Sequence, residues 1–340
     1  MRAQLLGKTP DELKEIALKA GLPAFAGKQL AQWLYVRKVR GIDEMTNISK
    51  VGRERLKEEY SLGLTLPSAC QVSSDGTKKY LFPVGEGNAV EAVMIPDDDR
   101  KTLCVSSQAG CRMGCRFCMT GRQGFHGNLS VSLILSQFIA IDESAGLTNA
   151  VFMGMGEPLD NFDNVMKAIE VLTAEWGFAW SPKRITLSTI GVIPALKKYL
   201  DGCRCHVAVS LHNPFGEERA QMMPVQKAWD IREVVELLRQ YDFTGQRRVS
   251  FEYTMFKGQN DDKRHADALV RLLRGLECRV NLIRFHKIPD APYDSSPAVI
   301  MENFRDRISN QGITCTIRAS RGEDILAACG MLAGEHRKRQ

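Results

Sequence analysis

Three cysteines constrain this chain more than any other feature. Cys111-Arg112-Met113-Gly114-Cys115-Arg116-Phe117-Cys118 spaces them at i, i+4 and i+7 in a short loop. The run Thr102 to Ser106, just before it, reads as a strand. The spacing lets three thiolates converge on one face of a wrapped backbone. Soft thiolates select Fe–S clusters, zinc or copper. Structural zinc wants a fourth ligand and commonly uses closer Cys-x2-Cys pairs. Three ligands on a cubane leave one iron open to a substrate or cofactor. The loop is therefore expected to be a chemical centre, with structural zinc or ordinary thiols as the bland alternatives.

The 340 residues, 44% of them hydrophobic, suffice for one large core and a small satellite domain. Ten cysteines would suit a secreted disulfide framework, but Met1-Arg2-Ala3-Gln4 leads soon to Asp11-Glu12 without an apolar segment. Neither a signal peptide nor a membrane span is expected. The cysteines then read as metal-binding or catalytic groups of a cytoplasmic protein. A net charge of +6 permits a polyanionic partner without requiring one.

Residues 9–60 read as helices. Thr9-Pro10-Asp11-Glu12 offers a cap, a first-turn proline and acids near the positive helix end. Leu13, Ile16 and Ala17 form an apolar stripe, which Gly21-Leu22-Pro23 ends. A second helix is expected from about Gly27 to Lys38, and a third from Lys50 to Tyr60. Residues 1–60 carry 12 Lys or Arg against 8 Asp or Glu. That suits an RNA-docking surface or simply a solvated helical cap. The segments 78–82 and 89–95 alternate as strands around Gly85-Glu86-Gly87-Asn88, a hairpin turn. Glu91 falls inside the second strand. On the residues alone it reads as a solvent-facing edge residue, since a buried carboxylate needs a partner.

Beyond Cys118, strands and helices alternate. Strands are expected at 102–106, 149–153, 184–189, 205–211, 248–256, 279–285 and 314–319. Helices are expected at 131–145, 161–175, 192–200, 230–240, 262–275 and 297–311. The alternation predicts an α/β fold of repeated βα units around a parallel sheet, an open or partial barrel. Sites in such folds gather at the carboxyl ends of strands. There lie Gly154-Met155-Gly156-Glu157-Pro158, Ser188, Ser210, His212 and His286. The glycines allow a tight turn and close backbone approach, and Glu157 can meet an ammonium. Each polar group could instead be an ordinary loop hydrogen-bonder. Cys104 leads into the cysteine loop, and Cys329 follows Ala327-Ala328 near the end of the chain. Cys70, Cys203, Cys205, Cys278 and Cys315 read as buried small hydrophobes. Cys203-x-Cys205 beside His206 is a weak metal signal.

Cys-x3-Cys-x2-Cys with Phe117 before the last cysteine resembles the radical S-adenosylmethionine (SAM) signature. Cys104-Val105-Ser106-Ser107-Gln108-Ala109-Gly110-Cys111, Gly154 to Pro158, Ser188-Thr189-Ile190-Gly191, Ser210-Leu211-His212 and Ala327-Ala328-Cys329-Gly330 resemble, in order, the RlmN/Cfr family of RNA adenosine methyltransferases. The likeness runs from about residue 10 to 334. It implies a partial (β/α)6 radical SAM barrel at 98–325, with a helical RNA-binding accessory domain at 1–75. A β-hairpin extension would span 76–97, and a segment with the methyl-carrier cysteine 326–340. It also implies one [4Fe-4S] cluster on Cys111, Cys115 and Cys118. S-adenosylmethionine would meet Gly156, Glu157, Ser188, Ser210, Leu211, His212 and His286. At His286 the chain departs from the family's usual asparagine, having Arg284-Phe285-His286-Lys287 instead.

The resemblance further implies two molecules of S-adenosylmethionine per turnover. One methylates Cys329; the other yields a 5′-deoxyadenosyl radical that takes hydrogen from the methylthioether. The resulting carbon radical adds to adenine. Glu91 is implied as the base near the target, and Glu91 or Cys104 takes the ring proton. A Cys104–Cys329 disulfide then releases the product. Ala291-Pro292-Tyr293 after Pro289 resembles the branch that methylates C2 of adenosine 2503 in 23S rRNA and adenosine 37 in tRNA. A second branch methylates C8 and confers antibiotic resistance. A target base must leave its stack to reach such a pocket. Basic residues of the accessory domain and Arg337-Lys338-Arg339 would hold phosphates. A flavodoxin- or ferredoxin-like electron donor and a monomeric state are implied as well. A radical enzyme for a small molecule, or an Fe–S protein that only binds RNA, is the competing class. The basic helical extension and the two shuttle cysteines speak against the first, and Glu157 with the strand-end polar set against the second.

Overall fold

The structure, a computed structural model, describes residues 2–85, 87–245 and 247–333. The expected phosphate contacts Arg337-Lys338-Arg339 and Glu86 of the hairpin turn lie outside the described residues. Among those described, no helix is long and apolar enough to cross a membrane.

Helices Pro10–Lys19, Ala26–Ala31 and Lys50–Glu59 form where the sequence signals lie. Thr9 caps the first through a reciprocal pair of bonds with Glu12: the Glu12 amide donates to Thr9 Oγ1 at 3.3 Å, and the Thr9 amide to Glu12 Oε2 at 2.7 Å. The second helix winds into a π-turn over Gln32–Val36. Leu13, Leu30, Leu34 and Tyr35 bury the shared face of this cap.

Ten strands form one sheet. In chain order they are β1 (Ala69–Val72), β2 (Lys78–Gly85), β3 (Asn88–Asp97), β4 (Arg100–Cys104) and β5 (Asn149–Phe152). Next come β6 (Ile185–Thr189), β7 (His206–Ser210), β8 (Val249–Met255), β9 (Arg279–Arg284) and β10 (Thr314–Ile317). The spatial order is sequential, and the two end strands do not pair with each other. β4 to β10 run parallel, as crossover helices require. They make an open barrel of seven strands: the one leading into the cysteine loop and six that follow it. β1 to β4 pair antiparallel. The hairpin is thus continuous with the barrel sheet. β1 forms inside 1–75, the region expected to be a helical accessory domain.

Adjacent parallel strands set inward residues in rows. Thr186 pairs with His206, Ser188 with Ala208, Ser210 with Glu252, Glu252 with Asn281, and Thr254 with Ile283. Their neighbours Leu187, Val207, Val209, Phe251, Tyr253 and Leu282 face outward and are buried under the helices. A polar interior lined by alternate residues is what gives this sheet a site.

Candidate active site

The cysteine loop follows β4 and is anchored from below. Phe117 packs against Phe256 with centroids 5.3 Å apart, and Phe256 against Tyr293 at 4.7 Å. These rings, with Phe285, Met222 and Met223, form an apolar cluster separate from the main core. It fixes the loop over the carboxyl ends of the strands.

Cys111, Cys115 and Cys118 line one cavity of about 160 Å³ with Gly156, Glu157, Ser188, Ser210, His212 and Cys329. Burial pushes the Cys111 thiol up to about 12, and it raises Cys115 and Cys118 as well. Three neighbouring thiols that resist ionisation need a cationic centre to become thiolates. That donor set fits an Fe–S cluster. Arg219 adds positive charge nearby. It is fully buried and donates to the carbonyls of Leu211 at 2.9 Å, Ser210 at 2.9 Å and Ile190 at 3.3 Å. It thereby ties β6 to β7 at their carboxyl ends.

The Gly154-Met155-Gly156 turn lies close against the start of the loop. A Cβ on Gly154 would stand 2.7 Å from Ser106 Oγ. Gly156 has φ +95°, and its Cβ would meet Gln108 Cβ at 2.4 Å. Only glycine fits either position. Glu157 is 3% exposed. Its carboxylate accepts from the amides of Leu159 at 3.1 Å and Ile190 at 2.9 Å. Burial outweighs these bonds and lifts its pKa to about 7.

His212 adopts φ +56° and accepts the Thr254 amide at Nδ1, 2.9 Å away. The other ring nitrogen therefore carries the proton of the neutral tautomer. Burial, with Arg219 nearby, holds its pKa down to about 3. Leu211 is fully buried in the main core and does not line this cavity. His286 also differs from expectation. The side chain before it, Phe285, lines the cavity instead. His286 turns to the other side, with Nε2 3.0 Å from Ser320 Oγ and Nδ1 3.6 Å from Glu323. In the extended segment that leaves β9, consecutive side chains take opposite sides.

A second cavity, about 620 Å³, is lined by Cys104, Cys329, Arg318 and His286 among others. It shares Met153, Ile283 and Cys329 with the first. Burial pushes the Cys104 thiol up to about 12, with Arg318 opposing. All ten cysteines are free thiols, so the disulfide implied for Cys104 and Cys329 is not formed. Cys203 and Cys205 are buried close together, the Cys205 amide 3.5 Å from Cys203 Sγ. Cys203 caps the helix Ile193–Gly202 and β7 begins only at His206, so the two thiols precede the strand rather than share a face of it.

Glu91 reverses the reading as an exposed edge residue. β3 lies between β2 and β4, and Glu91 is 1% exposed. Lys79 Nζ lies 3.0 Å from its Oε1, and the Ala333 amide donates to Oε2 at 2.8 Å. Ala333 is held over it by Gln123 Nε2, which donates to the Ala333 carbonyl at 2.7 Å. Thr120 Oγ1 likewise donates to the Leu332 carbonyl at 2.7 Å.

Besides Arg219, two more side chains escaped the sequence reading. Glu252, 3% exposed, lines the first cavity and accepts from Asn281 at 2.8 Å and Arg318 at 3.2 Å. A carboxylate between Phe251 and Tyr253 in an apolar strand was its signal. Arg318 had none, because its role depends on where β10 ends.

Residues 105–269 match the Radical SAM superfamily, and residues 3–62 match the Ribosomal RNA large subunit methyltransferase N-terminal domain. The chain is 60% identical to the "Probable dual-specificity RNA methyltransferase RlmN" of Porphyromonas gingivalis, covering 97% of this chain and 96% of the relative. It is 42% identical to the "Dual-specificity RNA methyltransferase RlmN" of Halorhodospira halophila, covering 98% and 94%. A crystal structure of a radical SAM methyltransferase from Sphaerobacter thermophilus superposes with a TM-score of 0.93, at 36% identity, covering 98% of this chain and 100% of that one. An open parallel barrel with this cysteine loop is the scaffold of a radical SAM enzyme that methylates RNA. The chain belongs to the RlmN family.

Proposed function

We propose that this enzyme methylates C2 of adenosine in both large-subunit rRNA and tRNA, with Cys329 carrying the methyl group. The observation that carries the reading is the position of Cys329, shared by two cavities. One also holds the three cluster cysteines and Glu157; the other holds Cys104. A thiol that must first meet a methyl donor and later a base and a resolving thiol needs such a place.

Cys111, Cys115 and Cys118 would hold a [4Fe-4S] cluster, which when bound supplies the electron that splits a sulfonium carbon–sulfur bond. Gly156 leaves room beside Gln108, and Glu157, Ser188, Ser210 and His212 present polar groups to S-adenosylmethionine. Cys329 Sγ attacks the methyl carbon of one such molecule, so an S–CH3 bond forms as the donor sulfur departs as a neutral thioether. After the methyl carbon is joined to adenine, Cys104 Sγ attacks Cys329 Sγ. The bond from that sulfur to the transferred carbon breaks with its electron pair left on the carbon, which takes up a proton to become the methyl group; a Cys104–Cys329 disulfide forms, and the methylated base leaves. The ring proton goes to Glu91, which is paired with Lys79, or to Cys104, which lines the second cavity. Arg318, which lines the second cavity with both thiols, opposes the burial that raises Cys104 and so favours the thiolate that exchange requires. The reading includes a low-potential donor such as flavodoxin or ferredoxin, a cytoplasmic location and a monomeric enzyme.

Cys104→Ala tests it. This variant should accept the methyl group and attack the base, then stay joined to RNA through Cys329. Intact mass should show that adduct. Free methylated RNA at the wild-type rate would reject the role of Cys104.

A further inference from the structure

The stretch 318–333 carries Cys329 yet has little regular structure. After β10 it makes one short helical turn, Glu323–Ile325. Leu326 then stands at φ +55°. A residue other than glycine stays in the left-handed region only where its surroundings hold it there. Ala327 and Ala328 are buried while Cys329 is exposed. What places the Cys329 sulfur must therefore come from other parts of the chain.

Ahead of Cys329 the hold comes from the turn between β1 and β2. Asp75 Oδ2 accepts from the Gly322 amide at 2.9 Å. Asp75 is itself fixed, its Oδ1 accepting the Thr77 amide at 2.9 Å. Asp324 reaches back to the same turn and accepts from Ser73 Oγ at 2.5 Å and the Ser74 amide at 3.1 Å. Beyond Cys329 the hold comes from the short helix Met119–Arg122 and its cap Gln123, just after the third loop cysteine. The Met119 amide donates to the Gly330 carbonyl at 2.8 Å. Thr120 and Gln123 then take the carbonyls of Leu332 and Ala333, in the same order along both stretches. One hold belongs to the hairpin, which is continuous with the barrel sheet, and the other to the cysteine loop.

We infer that Asp75 and Asp324 on one side, with Thr120 and Gln123 on the other, are positioning residues that seat the Cys329 sulfur where the two cavities meet. The inference rests on the carrier role proposed above and adds what keeps the carrier in place. A sulfur that serves partners in two cavities needs a fixed station, since a misplacement of about 1 Å can cost a factor of about 100 in rate. A segment held on one side only could swing away from either cavity. Held on both, only Leu326 to Cys329 is left to adjust. The hairpin extension then has a task in the reaction, because its turn holds the segment that bears the methyl group.

The test compares full-length wild-type holoenzyme with Asp324→Ala, Gln123→Ala and the double variant. Asp324 is exposed, and neither it nor Gln123 lines either cavity, so the fold and the reacting groups should be spared. Thermal midpoints check the fold. Hydrogen exchange read by peptide mass should be about tenfold or more faster across 322–333 in the variants and unchanged in β6 and β7. In wild type, about one 5′-deoxyadenosine should accompany each methyl group placed on a tRNA anticodon stem-loop. The double variant should make about three or more per methyl group, with transfer about tenfold slower and the KM for RNA unchanged. Asp324→Asn keeps an acceptor for Ser73 and should return most of the coupling. A wild-type enzyme that puts no methyl group on Cys329 would refute the carrier role, and exchange across 322–333 would then judge the hold by itself. Unchanged exchange and an unchanged product ratio in the folded double variant would overturn the inference. So would slowed transfer with the ratio still at about one, since a misplaced carrier must waste radicals.

Discussion

Lys79 Nζ lies 3.0 Å from Glu91 Oε1, and both side chains are more than nine-tenths buried, on neighbouring strands of one sheet. A carboxylate proposed to take a ring proton is thus kept in place by a cation that cannot reach solvent. Removing only the cation leaves a buried charge without its partner, at a cost of about 3–5 kcal/mol. Lys79→Met should show that loss in urea unfolding, and Lys79→Met/Glu91→Leu should recover much of it. Equal losses in the single and double variants would mean that the pair is not coupled.

The glycine turn makes a sharper steric prediction. Gly156 combines φ +95° with a Cβ position 2.4 Å from Gln108. Gly156→Ala should cost about 2 kcal/mol or more, from strain and overpacking together. It should also weaken S-adenosylmethionine binding, since the turn carries Glu157. Gly202→Ala, where a Cβ meets nothing within 4 Å, is the control.

Glu157 predicts a pH dependence. Its pKa is raised to about 7 by burial, so without a bound cation it is mostly neutral at pH 6 and mostly ionised at pH 8. The ammonium of S-adenosylmethionine prefers the carboxylate. Cofactor affinity should therefore rise across that interval, and Glu157→Gln should bind weakly with a flat profile. For the free protein the sign is opposite. An acid whose folded pKa lies above its unfolded value gives stability that is lost as pH rises toward 7. Comparing wild type with Glu157→Gln by thermal melting at pH 5 and pH 8 checks both signs.

The three loop cysteines should bind about four irons per chain after anaerobic reconstitution. Alanine at any one of them should abolish reductive cleavage of S-adenosylmethionine. A triple alanine variant that keeps its iron would refute the assignment.

Much of this architecture was legible in residue order. Thr9 announced its helix cap, and the alternation after Cys118 announced the parallel strands because crossover helices need that spacing. The cysteine loop declared its own chemistry. Facing was harder to read. Glu91 read as exposed because its partner Lys79 lies across a hairpin, and hairpin register is not written at either residue. His286 and Phe285 exchanged places because a one-residue offset at a strand end turns a side chain to the other side. Arg318 and Arg219 act through backbone carbonyls and distant carboxylates, so no local pattern marks them.

The central claim is that Cys329 carries a methyl group from S-adenosylmethionine to an RNA adenosine. Reduced holoenzyme should be incubated with methyl-deuterated S-adenosylmethionine and unmodified rRNA or tRNA fragments. The protein is then analysed by peptide mass spectrometry, and the RNA as nucleosides against 2-methyladenosine and 8-methyladenosine standards. The account predicts label first on Cys329, then in 2-methyladenosine from both RNAs, with none in either RNA from Cys329→Ala. Labelled methyladenosine produced by Cys329→Ala would contradict it.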